Sequence, residues 1–197
     1  MQKIKIRLTL NEPMLGTSPG NENIYRDFVG SKAPDAGTVD DEVAALGVDA
    51  VVEKGMTVFP RMEDGTPFLY DYQIKGFFKD TCGGLRKVSG TASSKIKAFK
   101  KEIDKLVFVE QRCIPIKFDG KITECQRPLR AQTMQGERVS LAISEQIPAG
   151  ATAEFTVLCL SDDHVPAVME WLNYGKYSGI GQWRNSGKGR FVWELVQ

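Results

Sequence analysis

Histidine is almost missing from this chain: His164 is the only one in 197 residues. The four cysteines, Cys82, Cys113, Cys125 and Cys159, include no CxxC pair. A structural zinc site needs a close-spaced set of such ligands. None is expected, nor any other cofactor, and the thiols read as reduced and mostly buried. No apolar run approaches the ~18 residues that a membrane-spanning helix requires, so a membrane partner is not expected either. The opening Met-Gln-Lys-Ile-Lys-Ile-Arg-Leu-Thr-Leu alternates where a signal peptide would carry an apolar block, which predicts a cytoplasmic protein. Net charge is scarce as well, since 26 Lys and Arg against 25 Asp and Glu leave +1. Taken alone, that total argues against a polyanionic partner. With 42% apolar and 26% charged residues, the composition is that of an ordinary globular protein, and the length suits one domain over 1–197.

The small total conceals segregation. Residues 35–64 hold eight acids and two bases, and residues 139–172 hold five acids and no base. Residues 75–105 hold nine bases and three acids, 112–138 six and three, and 173–190 four and none. A two-faced molecule follows, whose basic share is either a solvated surface or the footprint of an anionic ligand.

Periodicity locates the elements. Ile4, Ile6, Leu8 and Leu10 alternate with polar residues, the pattern of a strand with one buried face. A helical, acidic insertion is expected over 21–56, followed by a hairpin turn at Asp64-Gly65. From Tyr72 to Val88 the apolar positions Ile74, Phe77, Phe78, Cys82 and Leu85 share one arc of a helix, with Lys75, Lys79 and Arg86 striped along its flank. Gly83 and Gly84 weaken that helix and predict close packing there. A second helix is expected from about Ser94 to Lys105, its lysines solvated. Strands follow at Leu106–Val109, Cys113–Phe118, around Arg127–Gln132, at Val139–Ile143 and at Ala151–Leu160. A helix with Pro166 in its first turn and a closing strand, Phe191–Val196, complete the chain.

Between that last helix and strand lies Gly179-Ile-Gly181-Gln-Trp-Arg-Asn-Ser-Gly187-Lys-Gly189-Arg190. Glycines at this density let backbone N–H groups approach an anion. The loop leads into a strand, which excludes both a Walker loop and a dinucleotide fingerprint. Arg184, Lys188 and Arg190 beside Trp183 combine phosphate contacts with a stacking surface, features that favour single-stranded nucleic acid.

These pieces, in their order, resemble the RAMP superfamily, the ferredoxin-like RNA-binding subunits of CRISPR systems, and above all the backbone subunits that polymerise along guide RNA. The matching segments are Met14-Leu15-Gly16, Thr66-Pro67 through Lys75-Gly76 to Lys79, Arg127-Pro-Leu-Arg130, Pro148-Ala-Gly150-Ala-Thr, and Gly179 to Gly189. The chain also resembles conserved proteins of bacterial prophages. The resemblance implies an α+β, ferredoxin-like (RRM-like) antiparallel sheet with helices, a helical insertion after the first strand and a C-terminal glycine-rich loop. It further implies RNA as ligand and self-association or CRISPR-type protein partners. Its guide-processing ribonucleases use a histidine in the N-terminal half, which is absent here. Its target-cutting subunits use an aspartate after the first strand, for which Asp27, Asp35 and Asp40 are candidates that no motif separates.

The reading is therefore a non-catalytic binder of RNA or single-stranded DNA. Its expected phosphate track is Lys75, Lys79, Arg86, Arg127, Arg130, Arg184, Lys188 and Arg190, with Trp183 stacking and Gly179, Gly181, Gly187 and Gly189 shaping the loop. Two alternatives stand beside it: a phage-encoded module that docks on a CRISPR-type complex through its acidic segments, and a metal-independent endoribonuclease.

Overall fold

A computed structural model describes residues 1–20, 56–133 and 136–196, with backbone alone over 129–140. The insertion expected over 21–56, apart from Met56, and with it Asp27, Asp35 and Asp40, lies outside the described residues. In chain order the strands are β1 (Gln2–Leu10), β2 (Met14–Leu15), β3 (Ser18–Pro19), β4 (Thr57–Val58), β5 (Phe68–Tyr70), β6 (Val107–Val109), β7 (Cys113–Lys117), β8 (Thr123–Thr133), β9 (Gly136–Ile147), β10 (Thr152–Cys159) and β11 (Phe191–Leu195). The helices are α1 (Asp71–Leu85), α2 (Phe99–Leu106) and α3 (Val165–Ser178).

The larger sheet runs β11-β1-β10-β7-β5, with β6 also on β10. Every pairing along it is antiparallel. β6 and β7 take successive stretches of the same edge of β10, so they form one strand interrupted at 110–112. Gln111 fills the interruption, its Oε1 accepting from the Thr156 N–H at 2.7 Å. Such a bulge re-aims the residue beside it, here Arg112. β1 and β6/β7 run parallel with β10 between them, and β10 and β11 run parallel with β1 between them. Each parallel pair needs a crossover, which α1 and α3 supply.

Alternation makes the sheet two-sided. Ile4, Ile6, Leu8 and Leu10 of β1 and Ala153, Phe155, Val157 and Cys159 of β10 are buried beneath the helices. Phe77 and Phe78 of α1 lock onto Phe191 and Trp171, with ring centroids 5.2 and 5.4 Å apart. On the opposite face Arg7 reaches Glu154 and Glu194, both at 2.8 Å. RRM-type readers stack bases on aromatics of that face. At Arg7 that face carries a neutralised Arg-Glu ladder in place of an aromatic.

Several expectations shift at element boundaries. The expected second helix divides into a 3-10 turn at Ser93–Lys95 and α2. A Cβ on Gly83 would meet Phe99 at 3.4 Å, whereas Gly84 faces open space, so close packing holds for the first glycine only. The two short runs expected around Arg127 and Val139 are instead one long hairpin, β8 paired with β9 from Thr123↔Gln146 to Thr133↔Gly136. That hairpin and β2, β3 and β4 make a second sheet.

Under α3 lies a buried polar knot that no pattern in the sequence marks. Ser93 is fully buried, its hydroxyl donates to the Glu170 carboxylate at 2.5 Å and accepts from the Trp171 indole N–H at 2.8 Å. Glu170 also accepts from the N–H groups of Ala92 and Ser93, both at 3.0 Å. Ser93→Ala strands the indole N–H and weakens the hold on the carboxylate, a loss of about 1–3 kcal/mol. At roughly 2–4 °C per kcal/mol for a chain of this size, a melting scan detects it; an unchanged Tm contradicts the knot. Burial also pushes up the thiols of Cys82 and Cys159, the latter to about 11, while Cys113 and Cys125 are half-buried. Native alkylation in mildly alkaline buffer should therefore modify Cys113 and Cys125 and spare the other two until denaturant is added, as mass spectrometry would read out.

Candidate nucleic-acid interface

A cleft of about 1100 Å³ opens between the N-terminal half of α1, the segment Thr17–Gly20, the run Val58–Arg61 and the glycine-rich loop. Its walls are tied together by side chains. Gln73 accepts from the Tyr70 N–H at 2.8 Å, which caps α1, and donates to the Thr17 hydroxyl at 2.7 Å. Glu145 of β9 binds the Phe59 N–H at 2.9 Å and the Arg61 guanidinium at 2.6 Å.

The glycines of the loop have a steric reason. Ile180 N–H donates to Gly189 C=O and Gly189 N–H to Pro13 C=O, both at 2.9 Å, so the neck of the loop is clasped and docked on the chain just before β2. Gly189 has φ +71°, and a Cβ there would run into the Ile180 carbonyl oxygen; one on Gly181 would lie 2.8 Å from the Leu15 carbonyl oxygen. At the tip, Ser186 and Gly187 N–H groups donate to Trp183 and Arg184 carbonyls. The expected anion nest is therefore not formed from these N–H groups, which backbone carbonyls already occupy. What the loop presents is side chains.

Trp183 is the one non-glycine residue at positive φ among the described residues, at 56°. Strain of this kind persists where the surroundings over-determine it. Here Arg127 of β8 lies over the Trp183 ring at 4.9 Å and donates to Gln182 Oε1 at 2.8 Å. Arg127 is 9% exposed, and its Nε and Nη1 have no hydrogen-bond partner among the described residues. Lys188 donates to Gln146 Oε1 at 3.0 Å, and Arg190, whose guanidinium packs under Gly187, keeps a buried Nε without a partner. None of Arg127, Lys188 and Arg190 has a carboxylate partner among the described residues. Arg184 does, meeting Asp80 of α1 at 2.9 Å across the cleft mouth.

The expected track is thereby divided. Arg127, Trp183, Arg184, Lys188, Arg190 and the four glycines gather where the loop meets the β8–β9 hairpin and the cleft. Lys75, Lys79 and Arg86 are on another flank of α1. Lys75 and Lys79 engage Asp104 of α2, at 4.0 and 2.5 Å, and Arg86 lies on the Phe99 ring. Burial lowers the Lys75 pKa, against the pull of Asp104. Arg130 pairs with Val139 in the hairpin, and its side chain lies outside the description. His164 is buried at the start of α3, 3.5 Å from Glu102, and is not among the residues that line the cleft.

Residues that the sequence did not flag complete the cleft. Arg112, thrown out by the bulge, meets Asp71 at 2.5 Å and lies over the rings of Tyr70 and Tyr72, which stack at 5.0 Å. Arg61 lines the opposite wall. Isolated bases in short connections carry no pattern, so nothing in the sequence marks either. No group of metal-ligating side chains occurs among the described residues. Among the same residues no helix is long and apolar enough to cross a membrane.

No family model and no curated protein matches the chain. Its structure is similar to a chain in the cryo-EM structure of the Type III-B Cmr-beta bound to cognate target RNA, with a TM-score of 0.56, 12% identity and 99% of this chain covered. This chain spans 58% of the length of that one. At such identity the likeness is one of fold, an α+β architecture with antiparallel sheets.

The clasp makes the loop vulnerable at one atom. Gly189→Ala forces the neck apart at a cost of about 1–3 kcal/mol of local strain. Amide exchange at Ile180 and Gly189 should accelerate roughly tenfold or more while the core strands keep their protection. Unaltered exchange at both amides would mean that the neck is not clasped.

Proposed function

We propose that this chain is a non-catalytic, RAMP-like RNA-binding subunit that holds a single strand where the glycine-rich loop meets the hairpin and the cleft. The carrying observation is the contrast in counter-charges. Arg61, Arg112 and Arg184 at the cleft walls are paired with carboxylates, whereas Arg127, Lys188 and Arg190 behind the loop have no carboxylate partner among the described residues. An uncompensated, largely buried guanidinium is costly, and a polyphosphate strand supplies the missing charge. Trp183 and the Tyr70–Tyr72 stack add the aromatic surfaces on which single-stranded bases rest.

Two further facts support the reading. The strand order β11-β1-β10-β6/β7 with two crossover helices is the order that a split βαβ, ferredoxin-like reading calls for, and the structural neighbour belongs to an assembly bound to target RNA. RNA is favoured over DNA on that second ground. Binding is proposed as the activity, with assembly beside similar subunits.

Filter binding of labelled single-stranded RNA and DNA at two salt concentrations tests this. Affinity should fall with salt by a log–log slope of ~0.7 per phosphate contact, and Arg184→Ala with Lys188→Ala should lower the slope by about 1.4 without changing the melting temperature. A folded sample that binds no strand at low salt refutes the proposal, and RNA cleaved during the incubation refutes its non-catalytic part.

A further inference from the structure

None of the nine bases of residues 75–105 lines the cleft. Three of them line a second groove, of about 610 Å³, between the C-terminal half of α1, the start of α2 and the end of α3. Lys79, Lys87 and Lys100 line it opposite Tyr174. Lys79 is held by Asp104, whereas Lys87 and Lys100 are exposed and have no carboxylate partner among the described residues. The Thr81 hydroxyl, 2% exposed, belongs to the groove wall and has no hydrogen-bond partner there. Tyr174 meets the exposed Tyr177 edge-on at 5.8 Å, with the Lys176 ammonium over the latter ring. Exposed lysines and a tyrosine on the walls of an open groove are elements of a sequence-tolerant single-strand site.

What gives the groove a direction is Asp80. Its carboxylate side lies in the walls of both the groove and the cleft, and Arg184 bridges it from the loop. The two depressions are thus neighbours on either side of one exposed ion pair. An exposed pair of this kind is worth ~0–1 kcal/mol, so a phosphate can draw Arg184 away at little cost. A folded acidic partner would need about 800 Å² of matching surface, whereas a flexible polyanion needs only a path with bases along it, which is what is present.

We propose that the second groove continues the track: a single strand lying in the cleft passes the Asp80–Arg184 bridge, and its next phosphates rest on Lys87 and Lys100 beside Tyr174. This rests on the RNA-binding reading of the cleft and extends it to a longer footprint. It also gives Lys79, remote from the loop's bases, a place on the same strand.

Length dependence separates the two claims. Oligouridylates of about 4 and about 16 nucleotides, the ends of the usual range of single-strand site sizes, are titrated against the full chain, Lys87→Ala/Lys100→Ala and Arg184→Ala/Lys188→Ala. The lysine pair should leave the short strand's affinity unchanged and weaken the long strand, with a salt slope lower by about 1.4 on the long strand alone; the loop pair should weaken both. If the lysine pair leaves the long strand unaffected while the loop pair weakens it, the extension is wrong and the cleft reading stands. Equal weakening of short and long strands would make the lysines a diffuse field and also overturns the extension. Failure of the wild-type chain to bind either strand removes the cleft reading and the extension together. Both lysines are exposed, so a melting temperature equal to wild type certifies the variant's fold.

Discussion

The clasp between Gly179–Gly181 and Lys188–Gly189, seated on Pro13 and Leu15, is the contact on which the rest of the site depends. It joins the end of α3 to the start of β11 in a neck too narrow for any Cβ at Gly189. With the neck fixed against the chain before β2, the intervening residues have one direction in which to project. Gln182 and Trp183 reach Arg127 on the hairpin, Arg184 reaches Asp80 on α1, and Lys188 reaches Gln146 on β9. The β8–β9 hairpin and α1, distant in sequence, are thereby tied through one loop. The glycines serve this by steric absence, and the loop's chemistry resides in the residues between them.

Counter-charge placement then separates scaffold from site. Arg7 sits between Glu154 and Glu194 on the open sheet face, Arg61 is held by Glu145, and Lys75 and Lys79 share Asp104. These bases are spent on holding elements together or on keeping a surface neutral. Arg127, Lys188 and Arg190 have no carboxylate partner among the described residues, in a half-buried setting where Coulomb attraction is less screened than in bulk water. Hence a chain with a net charge of +1 can still offer a concentrated positive locus.

Much of the fold was legible because it follows from period. The alternation of β1, the apolar arc of α1, Pro166 in the first turn of α3 and the closing strand all reflect one face meeting the core, and each is where the pattern puts it. The β8–β9 hairpin was read short because Thr123, Glu124 and Gln126 are exposed and carry no apolar rhythm; its strands are held by their ladder instead of by a buried face. The flank of α1 illustrates a different limit. Periodicity shows that Lys75, Lys79 and Arg86 border the apolar arc, but an arc has two borders. Which one faces the cleft is decided by where α2 returns, a long-range fact. Arg112 was invisible for a related reason, since its direction is set by the bulge at 110–112 and not by its own neighbours in sequence.

The same reasoning bears on how a fold can be shared at 12% identity while the site is argued residue by residue. Core positions in β1, β10, α1 and α3 need only apolar volume with the right period, a demand that many sequences meet. The neck of the loop needs glycine at particular backbone positions, and the bases behind it need to lack acids, a condition on pairs of residues from different elements. Likeness of fold constrains the first set and leaves the second free. The position of Arg127, buried by a strained Trp183 and without a carboxylate among the described residues, is therefore a property of this chain rather than of its architecture. Stability alone would favour an apolar residue or an acid beside it, and that imbalance among the described residues is the physical ground on which the proposed binding role rests.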